Sequence, residues 1–546
     1  MIAEQRVRVA EAEQVVPDGE FRLVSPAGAP NRYEVTVTGA HPEAGVRRFR
    51  VVGAEGRSGT VAAVDYRLAE RTHNAYLDIF EDLSRRFGTR VPRNRQPAEV
   101  TSFSAPYQPL LTRNLGPGVR HGYGDPAVIR AAEATGAAWY YLLVTSNDAP
   151  DSFPTARSRD LREWELVGFV FPRGYKPAWA ADGEGVSDYW APEMHLIGGE
   201  YRVYFAARER GTRELSIGVA TSAGPEGPFV TPDEPILRGG VIDPHVAVDA
   251  HGDAYLFWKE DTNGVWPSLL NQLLHEHGRL IAELLSDPED RRTASLLATL
   301  WPWARTLEPM ERFFVQQLLV EAVTDRFSAV RDELGTLLAR EADAAVRQTI
   351  RGVLRAMRTP IWAQRLAPDG RSLEGERTLV LENDMEWEAH LIEGIWVARH
   401  GGKSYLFYAG NDFSTARYGI GVAVADAPLG PYRKLPEPLL RSTVEWWGPG
   451  HPSVAEGPDG EPWLFLHAFF PGRTGYNEFR ALLAVPLVFE GERVTVRQAA
   501  LHPTSRSRRR SSGRGPRGAS RSDASDAERM PRAGEQLTER LRRRES

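Results

Sequence analysis

Residues 198–205 read Gly-Gly-Glu-Tyr-Arg-Val-Tyr-Phe, a pair of turn glycines followed by an aromatic strand, and this pattern decides the fold. Aromatic and β-branched runs bounded by glycine turns predict β-strands. The pattern occurs five times, and a β repeat longer than 40 residues is typical of propeller blades. The five aromatic strands are predicted at residues 139–142, 201–205, 255–258, 405–408 and 463–466.

The spacing of the turn glycines indicates a foreign segment between the third and fourth repeats. The glycines lie 63, 53, 150 and 58 residues apart, and the long interval contains leucines at helical i, i+3, i+4 spacing. Removing residues 267–358 reduces the long interval to 58 residues, which matches the others. The glycines are Gly136, Gly199, Gly252, Gly402 and Gly460.

We therefore predict a mainly β chain: a five-bladed β-propeller interrupted by an α-helical insert. A small β-rich N-terminal domain with one helix near residues 77–87 precedes it, and a disordered basic tail follows, because a Ser/Arg/Gly-rich segment has too little apolar surface to fold. The insert is expected to form a separate bundle whose removal leaves the propeller folded. The predicted parts are residues 1–100 (N-terminal domain), 101–266 (blades one to three), 267–358 (insert), 359–502 (blades four and five) and 503–546 (tail).

The repeat also aligns residues that carry chemistry. Nine residues before the turn glycine of blades two to five stand Trp190, Asp243, Glu393 and His451, and Asp125 stands eleven before that of blade one. The innermost strands of a propeller line its central channel, so equivalent positions in successive blades converge at one end of it. Three carboxylates, a tryptophan and a histidine are therefore expected to meet there.

Composition excludes several classes of protein. The chain has no cysteine, so disulfide frameworks and thiolate chemistry are excluded. No apolar run is long enough to span a membrane, and the first residues lack the pattern of a secretory signal, so we expect a cytoplasmic protein, or a secreted one if the sequence is trimmed. The arginine-rich tail lacks interleaved aromatic residues, and no nucleic-acid partner is expected.

Several motifs resemble family 43 of the glycoside hydrolases. The resemblance covers roughly residues 115–265 and 359–485, and it lies in the order, spacing and repeat position of the motifs. They are Gly124-Asp125-Pro126, Trp190-Ala191-Pro192-Glu193, Ile242-Asp243-Pro244, Glu393-Gly394-Ile395-Trp396 and Gly448-Pro449-Gly450-His451. The family is a five-bladed propeller family of arabinofuranosidases, xylosidases and arabinanases that hydrolyse glycosides with inversion.

The resemblance implies a role for each matching residue. Asp125 matches the general base, Glu393 the general acid, and Asp243 the carboxylate that tunes and orients that acid. Trp190, His451 and Glu193 are expected to contact substrate, although Glu193 stands where aspartate is usual. No cofactor is required, while a structural Ca²⁺ in the channel is left open, with His451 near the metal or its water.

Glycosidic cleavage by two carboxyl groups fits these roles. One protonated carboxyl donates to the leaving oxygen, while one carboxylate activates water on the opposite face from about 6.5–9.5 Å away. The leading interpretation is an inverting exo-glycosidase that removes terminal α-L-arabinofuranosyl or β-xylosyl residues from oligosaccharides. An endo-arabinanase, a retaining fructosidase type with carboxyls at about 5–5.5 Å, and a non-catalytic sugar-binding propeller are the alternatives.

Two functions are open for the helical insert. It leaves the chain between the blades that carry Asp243 and Glu393, so on the active face it would restrict the pocket as a lid. On the opposite face it would be a surface for a partner.

Overall fold

The computed structural model describes residues 21–39, 46–55, 59–95, 103–132, 138–183 and 186–497. These residues all belong to one compact unit that spans Met1–Leu501. The predicted tail at 503–546 and the turn at Gly136 lie outside the described residues.

Each predicted aromatic strand is the second strand of a sheet, and in sheets two to five it comes directly after a tight turn. Gly199, Gly252, Gly402 and Gly460 occupy these turns with φ between 80° and 88°, a left-handed conformation that glycine adopts without steric cost. The local sequence therefore determines where each hairpin reverses, and these strand predictions are confirmed.

Five antiparallel sheets follow one another along the chain, and in each of them consecutive strands pair. The first holds β6 (Ala127–Ala132), β7 (Ala138–Leu143), β8 (Ser152–Ser158) and β9 (Glu165–Phe171). The second holds β10 (Trp190–Ile197), β11 (Glu200–Arg208) and β12 (Leu215–Ser222). The third holds β13 (Val241–Val248), β14 (Ala254–Glu260), β15 (Ile361–Leu366) and β16 (Leu373–Leu381). The fourth holds β17 (Ile392–His400), β18 (Lys403–Gly410), β19 (Gly419–Ala425) and β20 (Arg433–Lys434). The fifth holds β21 (Trp447–Glu456), β22 (Pro462–Phe469), β23 (Arg480–Glu490) and β24 (Arg493–Val496).

The first strands of these sheets contact one another in a closed cycle. Strand β6 contacts β10, β10 contacts β13, β13 contacts β17, β17 contacts β21, and β21 contacts β6 again. Strand β5 (Gln108–Leu111) precedes the first sheet in sequence and pairs with β23 of the last. This pairing joins the beginning of the cycle to its end. Together the five sheets confirm that the chain is mainly β.

The N-terminal residues form a separate antiparallel sheet with one helix. The sheet contains β1 (Phe21–Val24), β2 (Glu34–Thr38), β3 (Arg47–Glu55) and β4 (Thr60–Leu68) in chain order. Helix α1 (His73–Phe87) follows, its first turn capped by the Thr72 side chain, which accepts a hydrogen bond from the Ala75 N–H. The helix therefore begins four residues earlier than predicted.

The connection between β14 and β15 is helical. It begins two residues before the predicted insert, at Val265, and its last helix ends at Ala356. As the Asp287-Pro288 sequence indicates, Asp287 caps a helix and accepts hydrogen bonds from two backbone N–H groups. None of the helices in the described part of the chain is long and apolar enough to cross a membrane. The helices are α2 (Val265–Glu276), α3 (Leu280–Leu284), α4 (Pro288–Ala304), α5 (Pro309–Thr324), α6 (Phe327–Arg340) and α7 (Ala344–Ala356).

The insert does not form a separate bundle, while the prediction that its removal leaves the propeller folded stays a prediction. Its apolar side chains share one core with the N-terminal sheet, where the rings of Phe49 and Trp303 meet edge to face at 5.1 Å. A buried ion pair joins Arg47 to Glu311, which also accepts a hydrogen bond from Tyr76 at 2.7 Å. The amphipathic helices thus bury their apolar faces against a sheet that the sequence separates from them by about 200 residues.

Candidate active site

Four of the predicted site residues, Trp190, Asp243, Glu393 and His451, stand near the start of the first strands of sheets two to five, where each strand is bulged. The pairing register shifts just after Trp190, Ile242, Glu393 and Gly450, and these four residues are therefore equivalent. Counting nine residues back from the turn glycine gives Asp243 in the third sheet and His451 in the fifth, each one residue after the equivalent position. Bulges that re-aim side chains are common beside active sites.

Relative to the bulges, the predicted site residues do not all occupy the same position. Asp243 and His451 stand one residue after the bulge positions, with φ of 57° and 49°, and Asp125 has a φ of 52° before β6. Glu393 instead occupies the preceding position, and the following Gly394 adopts the positive φ of 60°. The left-handed backbone is uncommon for residues other than glycine and tends to occur at functional sites.

Five of the six predicted residues line one cavity of about 300 Å³. Asp125, Asp243 and Glu393 lie together there, and Trp190 and His451 complete the group. The remaining lining comes from other loops of the sheets and from the helical insert. It comprises Asn147, Arg208, Ile242, Asp261, Asn263, Gly264, Val265, Pro309, Met310, Arg312, Phe313, Gln316, Phe413, Tyr418, Tyr476 and Arg480.

Asp125 is held as a carboxylate by donors on several sides. Arg480 donates to Oδ1 at 2.8 Å and the Thr145 hydroxyl to Oδ2 at 2.5 Å. Burial alone would raise the pKa of Asp125, but Arg480 and His451 outweigh it and hold the pKa well below its usual range. The backbone N–H of Asp125 donates to Nδ1 of His467, whose pKa is lowered by burial, so that ring is neutral.

Glu393 accepts one hydrogen bond on each carboxyl oxygen. The Tyr418 hydroxyl donates to Oε1 at 2.7 Å, and Lys259 Nζ donates to Oε2 at 2.8 Å. Burial and the neighbouring Glu393 raise the pKa of Tyr418 well above its usual range, so the phenol stays protonated. Lys259 is fully buried on β14 and also donates to Asn263 Oδ1 at 3.0 Å.

Asp243 is hydrogen-bonded to the strand that carries Glu393. Its Oδ2 accepts a hydrogen bond from the Gly394 N–H at 2.8 Å. Burial raises the pKa of Asp243 to about 6, with a further rise from Glu393, while His451 and Lys259 act in the opposite sense. The cavity therefore contains carboxyl groups in distinct environments, which is how acid and base roles are separated in a single site.

His451 and Trp190 form parts of the cavity wall. Nδ1 of His451 lies 3.5 Å from Asp125 Oδ1. The His451 ring packs so closely on Gly394 that a Cβ at that position would lie 3.0 Å from Nδ1. The indole of Trp190 meets Tyr476 edge to face at 6.5 Å, with the Arg208 guanidinium 5.8 Å from its ring centre. Both residues are placed where a sugar could contact them.

Glu193 does not line the cavity, so the expectation that it contacts substrate is wrong. Beyond the bulge its side chain is buried, and its Oε2 lies 2.8 Å from His245 Nδ1 and 3.0 Å from His195 Nε2. The bulge after Trp190 breaks the two-residue alternation of strand faces, which is why counting along the motif misplaces Glu193.

The three side chains of Glu193, His195 and His245 have the composition of a metal site, and their nearest atoms lie within 4.8 Å of one another. The hydrogen bonds argue against a cation. His245 Nε2 accepts the Val397 N–H at 2.9 Å, and burial lowers the pKa of His245 to about 3, so the neutral ring carries its proton on Nδ1, which donates to Glu193. The set also lacks the six to eight oxygen ligands that Ca²⁺ prefers.

Several functional residues carry no signal in the repeat. Arg480 and Tyr418 line the cavity from β23 and from the loop before β19, and Lys259 reaches Glu393 from β14. The insert contributes Met310, Arg312 and Phe313 to the cavity lining. Lysine at the end of an apolar strand was the one available signal, because a buried lysine requires a partner.

Several known proteins are similar to this chain. The family model described as "Glycosyl hydrolases family 43" matches residues 116–305 and 348–492. The chain is 26% identical over 281 residues to xylosidase/arabinosidase 43A of Humicola insolens, a match that covers 51% of this chain and 65% of that protein. It is 33% identical over 127 residues to a probable arabinan endo-1,5-alpha-L-arabinosidase A of Aspergillus flavus, covering 23% of this chain and 36% of that protein.

A crystal structure of a thermostable family-43 glycoside hydrolase is also similar, with a TM-score of 0.47 and 22% identity, over 72% of this chain and 98% of that one. The family match itself extends over more than half of the sequence and includes every residue of the carboxylate group. The chain belongs to family 43 of the glycosyl hydrolases.

Proposed function

We propose that this chain is an inverting glycoside hydrolase that removes terminal α-L-arabinofuranosyl or β-xylosyl residues from short oligosaccharides. The five sheets are the blades of its propeller, and the channel end formed by their first strands is the active site. The observation that carries the proposal is the presence in one cavity of Asp125, Asp243 and Glu393, each in a different electrostatic setting.

Asp125 is the general base. Its depressed pKa keeps it ionised at neutral pH, and the hydrogen bonds from Arg480 and Thr145 fix the orientation of the carboxylate. In the reaction Asp125 takes a proton from a water molecule, and the water oxygen forms the new bond to the anomeric carbon on the face opposite the leaving group. The configuration at that carbon is thereby inverted.

Glu393 is the general acid, and Asp243 is the carboxyl group that tunes and orients it. Two neighbouring buried carboxyl groups disfavour each other's ionisation, and the pKa of Asp243 is raised by burial and by Glu393. When the glycosidic bond breaks, Glu393 gives its proton to the leaving oxygen and becomes a carboxylate. Lys259 and Tyr418, which already donate to its two oxygens, stabilise the charge that this step creates.

The position of the insert supports exo action. Val265 of α2 and Pro309, Met310 and Phe313 of α5 form one wall of the cavity that contains the carboxylates. A groove that binds the middle of a long polysaccharide must be open at both ends. A cavity closed on one side by a helical wall can instead bind the end of an oligosaccharide. The insert is therefore a lid over the site in this proposal, and binding of a partner protein is the less favoured role.

Endo-arabinanase activity is the second candidate, favoured by the local identity to the Aspergillus protein. A non-catalytic sugar-binding role is disfavoured, because binding alone does not require three buried carboxyl groups. The Ca²⁺ expected in the channel stays a prediction. Unchanged melting temperatures with excess chelator and with added Ca²⁺ would count against it.

Hydrolysis of small and large substrates tests the proposal. The purified chain is expected to cleave nitrophenyl α-L-arabinofuranoside or β-xyloside, and to release monosaccharide rather than longer products from arabino- or xylo-oligosaccharides. Proton NMR of the first product should show the anomer opposite to that of the substrate. Release of long fragments from linear arabinan would support the endo alternative, and retention of configuration would rule out the inverting mechanism.

A further inference from the structure

The helical insert places a positive charge in the cavity wall. Arg312 lies on α5, one turn after the helix begins at Pro309, and lines the cavity together with Phe313 and Gln316. None of these residues belongs to the sheets that carry the carboxylates. The insert therefore does more than restrict the cavity, because it adds polar groups to one side of it.

Arg312 differs from the other arginines of the cavity in having no carboxylate partner. Arg208 is paired with Asp188, and Arg480 donates to Asp125. Arg312 makes a single side-chain hydrogen bond, from Nη2 to the Leu307 carbonyl at 3.3 Å, and forms no ion pair with any residue that the structure describes. Four of the five N–H donors of its guanidinium remain for a ligand.

The surroundings of Arg312 make an unpaired charge unfavourable. Burial lowers the pKa of Arg312, and the nearby Glu308 counteracts this without forming an ion pair, while Arg208 adds repulsion. A partly buried guanidinium gains most from an anion that it can contact with two parallel hydrogen bonds. A carboxylate accepts two such parallel hydrogen bonds, and uronic acids are sugars that carry one.

Neighbouring groups complete the features of a sugar subsite. The rings of Phe313 and Phe413 are stacked at 6.2 Å with an angle of 17°, which gives the cavity an apolar edge. Gln316 is buried and its Oε1 has no hydrogen-bond partner among the described residues, whereas its Nε2 donates to Ser268 and to the Arg312 carbonyl. An unpaired buried acceptor is costly unless a ligand donor satisfies it, and a sugar hydroxyl can do so.

We propose that Arg312, Phe313 and Gln316 form a subsite for a uronic acid, so that the preferred substrates are arabinosyl or xylosyl oligosaccharides that carry a carboxylated sugar. Arg312 binds the carboxylate, and Gln316 accepts a hydrogen bond from a hydroxyl of the same sugar. This inference rests on the proposed glycosidase function and adds the class of substrate. Arg312 is a specificity-determining residue in it and takes no part in bond cleavage.

A matched pair of substrates tests the subsite. Xylotriose substituted with glucuronic acid is compared with the same molecule after reduction of its carboxyl group to the alcohol, so that the two differ only in charge at one carbon. The native chain is expected to show a kcat/KM about 10- to 100-fold higher for the acidic substrate, the range for hydrogen bonds to charged groups. The difference should lie mainly in KM.

Three variants identify the residue responsible. Arg312→Gln should abolish the preference for the acidic over the neutral substrate, while Arg312→Lys should keep part of it. Arg351→Gln is the control, because Arg351 is exposed on α7 of the same insert and does not line the cavity. Melting temperatures of all variants establish that they fold.

The outcomes separate the two proposals. Equal kcat/KM for the two substrates, or a preference that survives Arg312→Gln, would overturn the uronic-acid subsite while leaving the glycosidase intact. If neither substrate nor any nitrophenyl glycoside is cleaved, the glycosidase proposal fails. Calorimetric binding then still tests the subsite, since native protein should bind the acidic oligosaccharide more tightly than the reduced one and Arg312→Gln should not.

Discussion

The two sides of the cavity differ in what they contribute. The sheets and their loops supply its carboxyl groups, and the arginines on that side are paired with carboxylates. The insert supplies Val265, Met310, Phe313, a glutamine and an unpaired arginine, and no carboxyl group among the described lining residues. The bond-breaking groups thus belong to the sheet scaffold, while the groups suited to selecting a substrate belong to the helices.

This division has a structural reason. The sheet side is fixed by the cyclic contacts of five strands, which hold bulged residues in a defined geometry. The insert is anchored elsewhere, through the core that it shares with the N-terminal sheet. Substitutions on the sheet side should therefore affect catalysis with any substrate, whereas substitutions on α5 should alter preference between substrates.

The largest effect is expected from Asp125→Asn. Loss of the base should lower kcat about 10²- to 10⁴-fold on every substrate, because an amide cannot take the proton of the attacking water. Asp233→Asn, at an exposed aspartate outside the cavity, is the control. Steady-state kinetics on short and long substrates provide the measurement. A loss confined to one substrate class would break the division between the two sides.

Glu393→Gln should lower activity severely on substrates with poor leaving groups and less on activated aryl glycosides. A general acid matters most when the leaving oxygen needs its proton, and the full effect is about 10²- to 10⁴-fold. The comparison uses nitrophenyl glycosides against unactivated disaccharides. Equal losses on both would show that Glu393 is not the acid.

Lys259→Met should lower kcat/KM about tenfold, by removing a charged hydrogen bond to Glu393. It should also shift the pH profile. Asp243 loses its proton as the pH rises through about 6, the pKa to which burial raises this group, so activity should decline on that side. Lys259 lowers this pKa, and its removal should move the basic limb to higher pH. A profile that is lower but unshifted would limit Lys259 to a packing role.

The smallest effect is expected on the insert side, from Met310→Ala. Shortening this partly buried side chain widens the cavity and should raise the ratio of activity on a long to a short substrate about two- to fivefold, the effect of a modest loss of apolar contact. Leu338→Ala, at a partly buried leucine of α6 outside the cavity, is the control. An unchanged ratio for Met310→Ala would count against the lid.

Much of the site could be predicted from the sequence because its parts are locally encoded. Turn glycines and aromatic runs specify hairpins, and the start of each first strand identifies Asp125, Asp243, Glu393, Trp190 and His451. The error at Glu193 and the one-residue error in the alignment both arise from bulges. Counting along the chain assumes regular alternation, and a bulge adds a residue that no composition rule reveals.

By itself the sequence determined the β repeat, the position of the insert and the residues that carry the carboxyl groups, because each depends on neighbours within a few residues. Only the tertiary structure decided which face of the sheets the helices cover, that Trp303 packs on Phe49, and that Lys259 and Arg480 reach Glu393 and Asp125. These contacts join residues more than 100 positions apart, so they follow from the packing of whole elements and leave no local pattern in the chain.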